Sequence, residues 1–194
     1  MAQATQPTIV SPAEYLTFER DSEERHEFID GRIAALTPGN FEHAVIAGNV
    51  AGELGMALRD RRCWVCPAGM RIKIEASERY TYADVAVVCS TPRFEDDRQD
   101  TLLNPSALFE VISPSTESYD RGEKFAHYRT IPSLTDYVLV SQKQVLGEHF
   151  QRQEDGGWLL RALGRGERLA FPSLGCEVAV DGFYLKVFED QSEG

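Results

Sequence analysis

Two stretches of the chain are apolar almost throughout, and each carries one carboxylate inside it. Asp84 lies in Tyr82-Ala83-Asp84-Val85-Ala86-Val87-Val88, and Glu110 sits at the centre of Leu108-Phe109-Glu110-Val111-Ile112. Neither run shows the two-residue alternation of a strand with one wet face, so both read as strands covered on both faces. A sheet so covered needs layers packed against it. Taking a carboxylate out of water costs several kcal/mol unless it is paired, hydrogen-bonded or bound to a metal. One such residue is easily an accident of a strand end, whereas two in separate apolar strands point to a purpose.

The rest of the pattern supplies the layers. Ser11-Pro12-Ala13-Glu14 is a capping box that starts a helix running to about Phe18. Arg25–Asp30 and Arg32–Leu36 are β-prone runs joined at Asp30-Gly31, a hairpin signal. His43, Ala47, Val50, Leu54 and Leu58 recur at helical spacing and predict an amphipathic helix over about Phe41–Arg59. Strands are expected at Cys63–Cys66, Met70–Glu75, Tyr80–Cys89, Ala107–Ser113 and Leu134–Val140, with a charged loop over Thr91–Asn104. Asp120-Arg121-Gly122-Glu123 reads as a second capping box, opening a helix that ends before Pro132. Val145–Gln151 and Trp158–Leu163 suggest a hairpin, Val180–Phe188 a short helix, and an acidic tail follows. No repeat or linker divides the 194 residues, so the expectation is one α/β domain over 1–194, with a core at about 11–188 and a flexible N-terminus.

Charge narrows the function. With 20 basic and 31 acidic side chains the net charge is −11, which argues against a protein that coats nucleic acid avidly. It leaves room for weak or transient contact at a local groove; Arg59, Arg61 and Arg62 form the one obvious basic cluster. No apolar run approaches the ~20 residues of a membrane span, and Met1–Thr8 has neither basic nor apolar signal character. A cytoplasmic protein with no membrane contact is expected. Of the four cysteines, Cys63 and Cys66 have C-x-x-C spacing, but Trp64 and Val65 between them favour a strand. Plain buried thiols are the expectation, with a thiol redox motif as the alternative.

If the two apolar strands are neighbours, Asp84 and Glu110 converge. Two carboxylates with water and backbone oxygen suit Mg²⁺ or Mn²⁺. Such an ion lowers the pKa of water and stabilises a phosphate undergoing displacement. The plainer alternative puts both at strand ends, solvated or held by Arg71 or Lys73. Glu27 offers a third carboxylate or an exposed strand glutamate. Lys124 is either a solvated helix lysine or a cation beside a phosphate. His43 heads its helical stripe, a hydrogen-bonded imidazole by default and an accessory ligand or base otherwise. Phosphate-cradling glycine loops and nucleophile elbows are absent, so no nucleotide cofactor is expected.

The ordered series Ser11-Pro12-Ala13-Glu14-Tyr15-Leu16, Glu27-Phe28-Ile29-Asp30-Gly31, His43, Ala83-Asp84-Val85-Ala86-Val87-Val88, Glu110-Val111-Ile112-Ser113-Pro114-Ser115-Thr116 and Glu123-Lys124-Phe125-Ala126-His127-Tyr128 resembles the Uma-two family. These are bacterial endonucleases, numerous in cyanobacteria, within the PD-(D/E)XK restriction-endonuclease-like superfamily. The likeness spans roughly Ser11 to Phe188. It implies a mixed central β-sheet flanked by α-helices and a Mg²⁺-dependent (or Mn²⁺-dependent) site that hydrolyses DNA phosphodiesters, in a protein that dimerises. By matching positions Asp84 and Glu110 would hold the metal, and Glu27 and Lys124 would complete the catalytic set. The superfamily's usual lysine, two residues after the glutamate, is replaced by Ile112, and Lys124 on the following helix stands in for it. Ala83 replaces the usual proline before the aspartate. The competing expectation is a non-catalytic interaction module, an accessory subunit or homodimer, on the same fold.

Overall fold

The computed structural model describes residues 9–114 and 116–188. Met1–Thr8, Ser115 of the quoted motif and the acidic tail beyond Phe188 lie outside the described residues. Ser11 caps α1 (Pro12–Asp21) through the reciprocal box the sequence predicts: its hydroxyl accepts from the Glu14 amide, and Glu14 Oε2 accepts from the Ser11 amide at 2.8 Å. The hairpin β1 (His26–Ile29) and β2 (Arg32–Ala35) turns at Asp30 and Gly31, whose φ values of +50° and +79° suit a two-residue turn that needs left-handed backbone. Asn40 caps α2 (Phe41–Leu58), accepting the His43 amide at 3.0 Å.

The remaining strands are β3 (Trp64–Pro67), β4 (Arg71–Ile74), β5 (Arg79–Tyr82), β6 (Val85–Val88), β7 (Thr101–Leu102), β8 (Ala107–Ile112), β9 (Asp136–Ser141), β10 (Leu146–Arg152), β11 (Trp158–Gly164), β12 (Arg168–Phe171) and β13 (Cys176–Ala179). They form a five-stranded sheet in the order β2-β1-β5-β4-β7, a six-stranded sheet in the order β11-β10-β9-β8-β6-β3, and the hairpin β12-β13. Both larger sheets are mixed, with β4 parallel to β7 and β8 parallel to β9. The architecture is therefore the expected α/β one, with mixed sheets flanked by helices.

The apolar runs are covered on both faces, as their lack of alternation requires. Val85, Val87, Phe109 and Val111 face α2 through Ile46, Val50, Leu54 and Leu58, with Phe171, Val178 and Phe183 closing the layer. Ala86, Leu108 and Ile112 face the opposite way, toward Tyr128, Tyr137 and Ile72. Successive residues thus serve two different cores.

Four expectations need correction. The single strand expected at Tyr80–Cys89 is two, β5 and β6, in different sheets. The break falls at Ala83-Asp84, where Asp84 Oδ2 takes the Val111 amide at 2.7 Å in place of backbone pairing. The helix expected from Asp120 begins earlier: Glu117–Tyr119 leads into a π-turn, Asp120–Lys124, and then Phe125–Tyr128. Asp120 does not cap it, because its side chain is buried beside Lys124. The hairpin β12-β13 was not expected, and Val180–Tyr184 is a 3₁₀ turn in place of a longer helix.

The cysteines are the fourth correction. Cys63 is bonded to Cys89, while Cys66 and Cys176 are free and half-buried. The bond crosses adjacent strands just beyond the Trp64–Val88 pair, so spacing along one strand gave no sign of it. It closes a loop with a sequence separation of 26, for which chain-entropy arguments give about 3.5 kcal/mol. Replacing both Cys63 and Cys89 by alanine should lower the melting temperature by roughly 6–12 °C in a thermal melt. The C-x-x-C thiols do not pair with each other. No helix of the described residues is long and apolar enough to cross a membrane.

Candidate active site

Asp84 lies at the break between β5 and β6, and Glu110 lies in mid-β8. With Val85 opposite Phe109 in the ladder, the next step of the register sets Asp84 beside Glu110. Each carboxylate is fixed through one oxygen. Asp84 Oδ2 accepts the Val111 amide at 2.7 Å and lies 3.3 Å from His43 Nε2. Glu110 Oε1 accepts the Tyr128 hydroxyl at 3.0 Å and lies 2.9 Å from Lys124 Nζ. Asp84 Oδ1 and Glu110 Oε2 accept no hydrogen bond from the described residues.

Lys124 is 7% exposed and is the hub of the cluster. Its ammonium donates to the Tyr82 carbonyl at 3.0 Å and lies 3.7 Å from Glu27 and 3.6 Å from Asp120. The π-turn brings Asp120 and Lys124 to the same buried face; such turns recur at functional sites. Glu27 is engaged at both oxygens, by Thr81 Oγ1 and, at 3.0 Å, by the Tyr119 hydroxyl. It braces the cluster from the five-stranded sheet. His43 enters from α2 at its capped first turn.

Burial pushes the Glu110 carboxyl well above the usual carboxylate range, with Lys124 pulling the other way and the nearby Asp84 and Asp120 adding to the rise. Burial alone would lower Lys124, but Glu110, Glu27 and Asp120 outweigh it and hold the ammonium charged. Asp120 is raised, again chiefly by burial. Its hydrogen bond to Asp84 raises His43 against the opposing effect of burial. A carboxylate-rich pocket with a single permanent cation is short of positive charge.

Could these residues hold a metal? Among the described residues no group of three or more His, Cys, Asp or Glu side chains is arranged to do so. The donor set is two carboxylates, Asp84 and Glu110, each with one oxygen uncommitted. Mg²⁺ is commonly held by one or two carboxylates with waters and substrate phosphate, so the set fits that ion.

Structure thus brings together Glu27, Asp84, Glu110, Lys124 and His43, the whole sequence-derived set. Arg71 and Lys73, the alternative partners, are elsewhere, paired with Asp100 and Glu95. Sequence reading missed Asp120, Tyr119, Tyr128 and Thr81. The four-residue spacing of Asp120 and Lys124 was a usable signal for the first. The tyrosines gave none, because their contacts are set by tertiary packing. Of the basic cluster, Arg59 pairs with Asp60 and Arg61 donates to the Gly175 carbonyl.

A family model described as "Uma2: Putative restriction endonuclease" matches residues 12–181. The chain belongs to the Uma2 family. Two Synechocystis proteins agree in length and sequence. "Uncharacterized protein slr1290" is 38% identical over 177 residues, covering 90% of this chain and 91% of that one. "Uncharacterized protein sll1609" is 37% identical over 155 residues, covering 80% and 88%. The fold matches the crystal structure titled as a "putative nuclease belonging to DUF820" from Anabaena variabilis, with a TM-score of 0.72 at 13% identity, covering 91% of this chain and 98% of that one. The Uma2 match covers every residue of the cluster, from Glu27 to Tyr128.

Proposed function

We propose that this Uma2 chain is a metal-dependent endonuclease that hydrolyses DNA phosphodiester bonds. One observation carries the reading: Asp84 and Glu110 are each anchored through one oxygen, leave the other uncommitted, and stand beside a buried, permanently charged lysine. Membership of a restriction-endonuclease family supports the substrate class.

Asp84 and Glu110 would hold Mg²⁺ or Mn²⁺, which when bound supplies Lewis-acid stabilisation of the phosphate and acidifies an attacking water. The protein's own residues do the positioning. The Val111 amide and His43 Nε2 fix Asp84; Tyr128 and Lys124 fix Glu110. Lys124, kept charged by its carboxylate neighbours, offers a cation to the charge that develops on the phosphate. Glu27, held by Thr81 and Tyr119, stops Lys124 from swinging away from Glu110. His43 Nε2 can hold a proton against Asp84 Oδ2 while substrate enters.

The test is direct. Supercoiled, linear duplex and single-stranded DNA are incubated with the protein and Mg²⁺ or Mn²⁺, then with a chelator. Cleavage of at least one substrate, lost with chelator and in Asp84→Asn, is expected. Cleavage that survives Asp84→Asn would overturn the assignment. No cleavage and no salt-sensitive DNA binding would favour the non-catalytic module.

A further inference from the structure

A cavity opens near the cluster. β8 and β9 end side by side, with Ile112 opposite Ser141, and a cleft of about 290 Å³ opens just beyond them. One wall carries Ile112, Pro114, Glu117 and Arg121; the other is the turn between β9 and β10. Ile112 lies two residues after Glu110, so the cleft begins where the carboxylate cluster ends. The β9–β10 turn is also tied to the site mechanically. Gln142 donates to Asn40 Oδ1 at 2.6 Å, and Asn40 is the cap that holds the His43 amide.

Its charged groups are few and opposed. Arg121 bridges Glu117 at 2.9 Å and Glu148 at 2.6 Å across the cleft. Lys143 on the rim makes no ion pair among the described residues. With Arg121 and Lys143 set against the two glutamates, the lining is balanced, in a chain whose net charge is −11. Lys143 is the ionised side chain of the lining that makes no ion pair among the described residues. Ser141 and Gln144 add uncharged hydrogen-bonding groups, and among the described residues no aromatic side chain lines the cleft.

Together these features describe a seat for a nucleic-acid backbone. A volume near the lower end of ligand pockets admits one nucleotide and excludes a duplex. Without an aromatic platform there is nothing on which a base would stack. Lys143, the cation of the lining that makes no ion pair among the described residues, stands with Ser141 and Gln144 and suits a phosphate and its sugar, contacts that position a strand without reading its sequence.

We propose that this cleft holds the sugar–phosphate of a nucleotide flanking the cleaved bond, with Lys143 as its phosphate contact. The proposal rests on the nuclease reading above. It is tested by titrating labelled single-stranded DNA of two unrelated sequences into wild type, Lys143→Gln and Lys186→Gln. Salt is varied, and calcium replaces magnesium so that the strands stay intact. Lys186, the other lysine without an ion pair among the described residues, lies outside the cleft and serves as the control. Lys143→Gln should weaken binding several-fold for both sequences and reduce the slope of log affinity against log salt by about one, while Lys186→Gln changes neither. Wild-type binding that Lys143→Gln leaves unaltered, a loss confined to one sequence, or an equal loss in Lys186→Gln would each overturn the cleft assignment and leave the nuclease reading standing. Failure of the wild type to bind either strand would overturn the cleft assignment too, while the nuclease reading is decided by the cleavage test on duplex DNA.

Discussion

Replacing Lys124 by methionine should lower the melting temperature by roughly 10 °C and abolish activity. The size follows from what methionine leaves behind. Glu110 is 4% exposed, Glu27 4% and Asp120 5%, and all three surround the ammonium. Removing one partner from a buried ionic cluster typically costs about 3–5 kcal/mol, because the remaining charges are neither solvated nor compensated. At this chain length each kcal/mol moves the midpoint by roughly 2–4 °C. Lost packing is a smaller effect, since methionine fills much of the lysine's volume. The charge argument has its own control. Adding Glu110→Gln to Lys124→Met removes one of the stranded carboxylates and should recover a good part of the loss. If the double variant melts no higher than the single one, the cost lies in packing and the electrostatic account fails. Differential scanning calorimetry of the three proteins decides it.

How much of this was legible beforehand depends on which residues carried it. The unbroken apolar runs around Asp84 and Glu110 gave both the covered sheet and the two central carboxylates, because burial on two faces leaves its mark in every residue of a strand. Capping chemistry placed α1 and the Asp30-Gly31 turn for the same reason: the signal is local. The exchange between sheets at Ala83-Asp84 was hidden, because an apolar run looks the same whether one sheet or two receives it. Only the side-chain hydrogen bond from the Val111 amide marks the change. Asp120 looked like a helix cap since Asp-x-x-Glu fits that pattern locally, yet its burial beside Lys124 is a tertiary matter. The Cys63–Cys89 bond likewise joins residues that only strand pairing brings together. Local chemistry was readable; what depended on which strand lay next to which was not.

Substituting Glu110 by glutamine separates a catalytic cluster from a structural ion pair, because the two roles predict opposite effects on stability. Were the Glu110–Lys124 contact at 2.9 Å a structural bridge, breaking it would cost about 3–5 kcal/mol. The environment argues otherwise. Burial holds the Glu110 carboxyl well above its ordinary range despite Lys124, so the ionised form is a burden to the fold. Glutamine keeps an oxygen to accept from Tyr128, and Lys124 keeps Asp120 at 3.6 Å, Glu27 at 3.7 Å and the Tyr82 carbonyl. Glu110→Gln should therefore melt at the same temperature as the wild type or above it. Activity should move the other way. On the proposed mechanism, losing one of the two carboxylates that would hold the metal forfeits several kcal/mol of charge stabilisation at the phosphate, which at 1.36 kcal/mol per decade is a fall of about a thousandfold. Calorimetric titration with Mn²⁺ should give saturable binding to the wild type and none to the variant. A variant that is destabilised and still binds Mn²⁺ would make Glu110 a structural residue and move the metal elsewhere. A variant that is stable, inactive and blind to the metal would mean that the fold tolerates a buried carboxylate here for the sake of its chemistry, the trade expected where stability and activity compete for one residue.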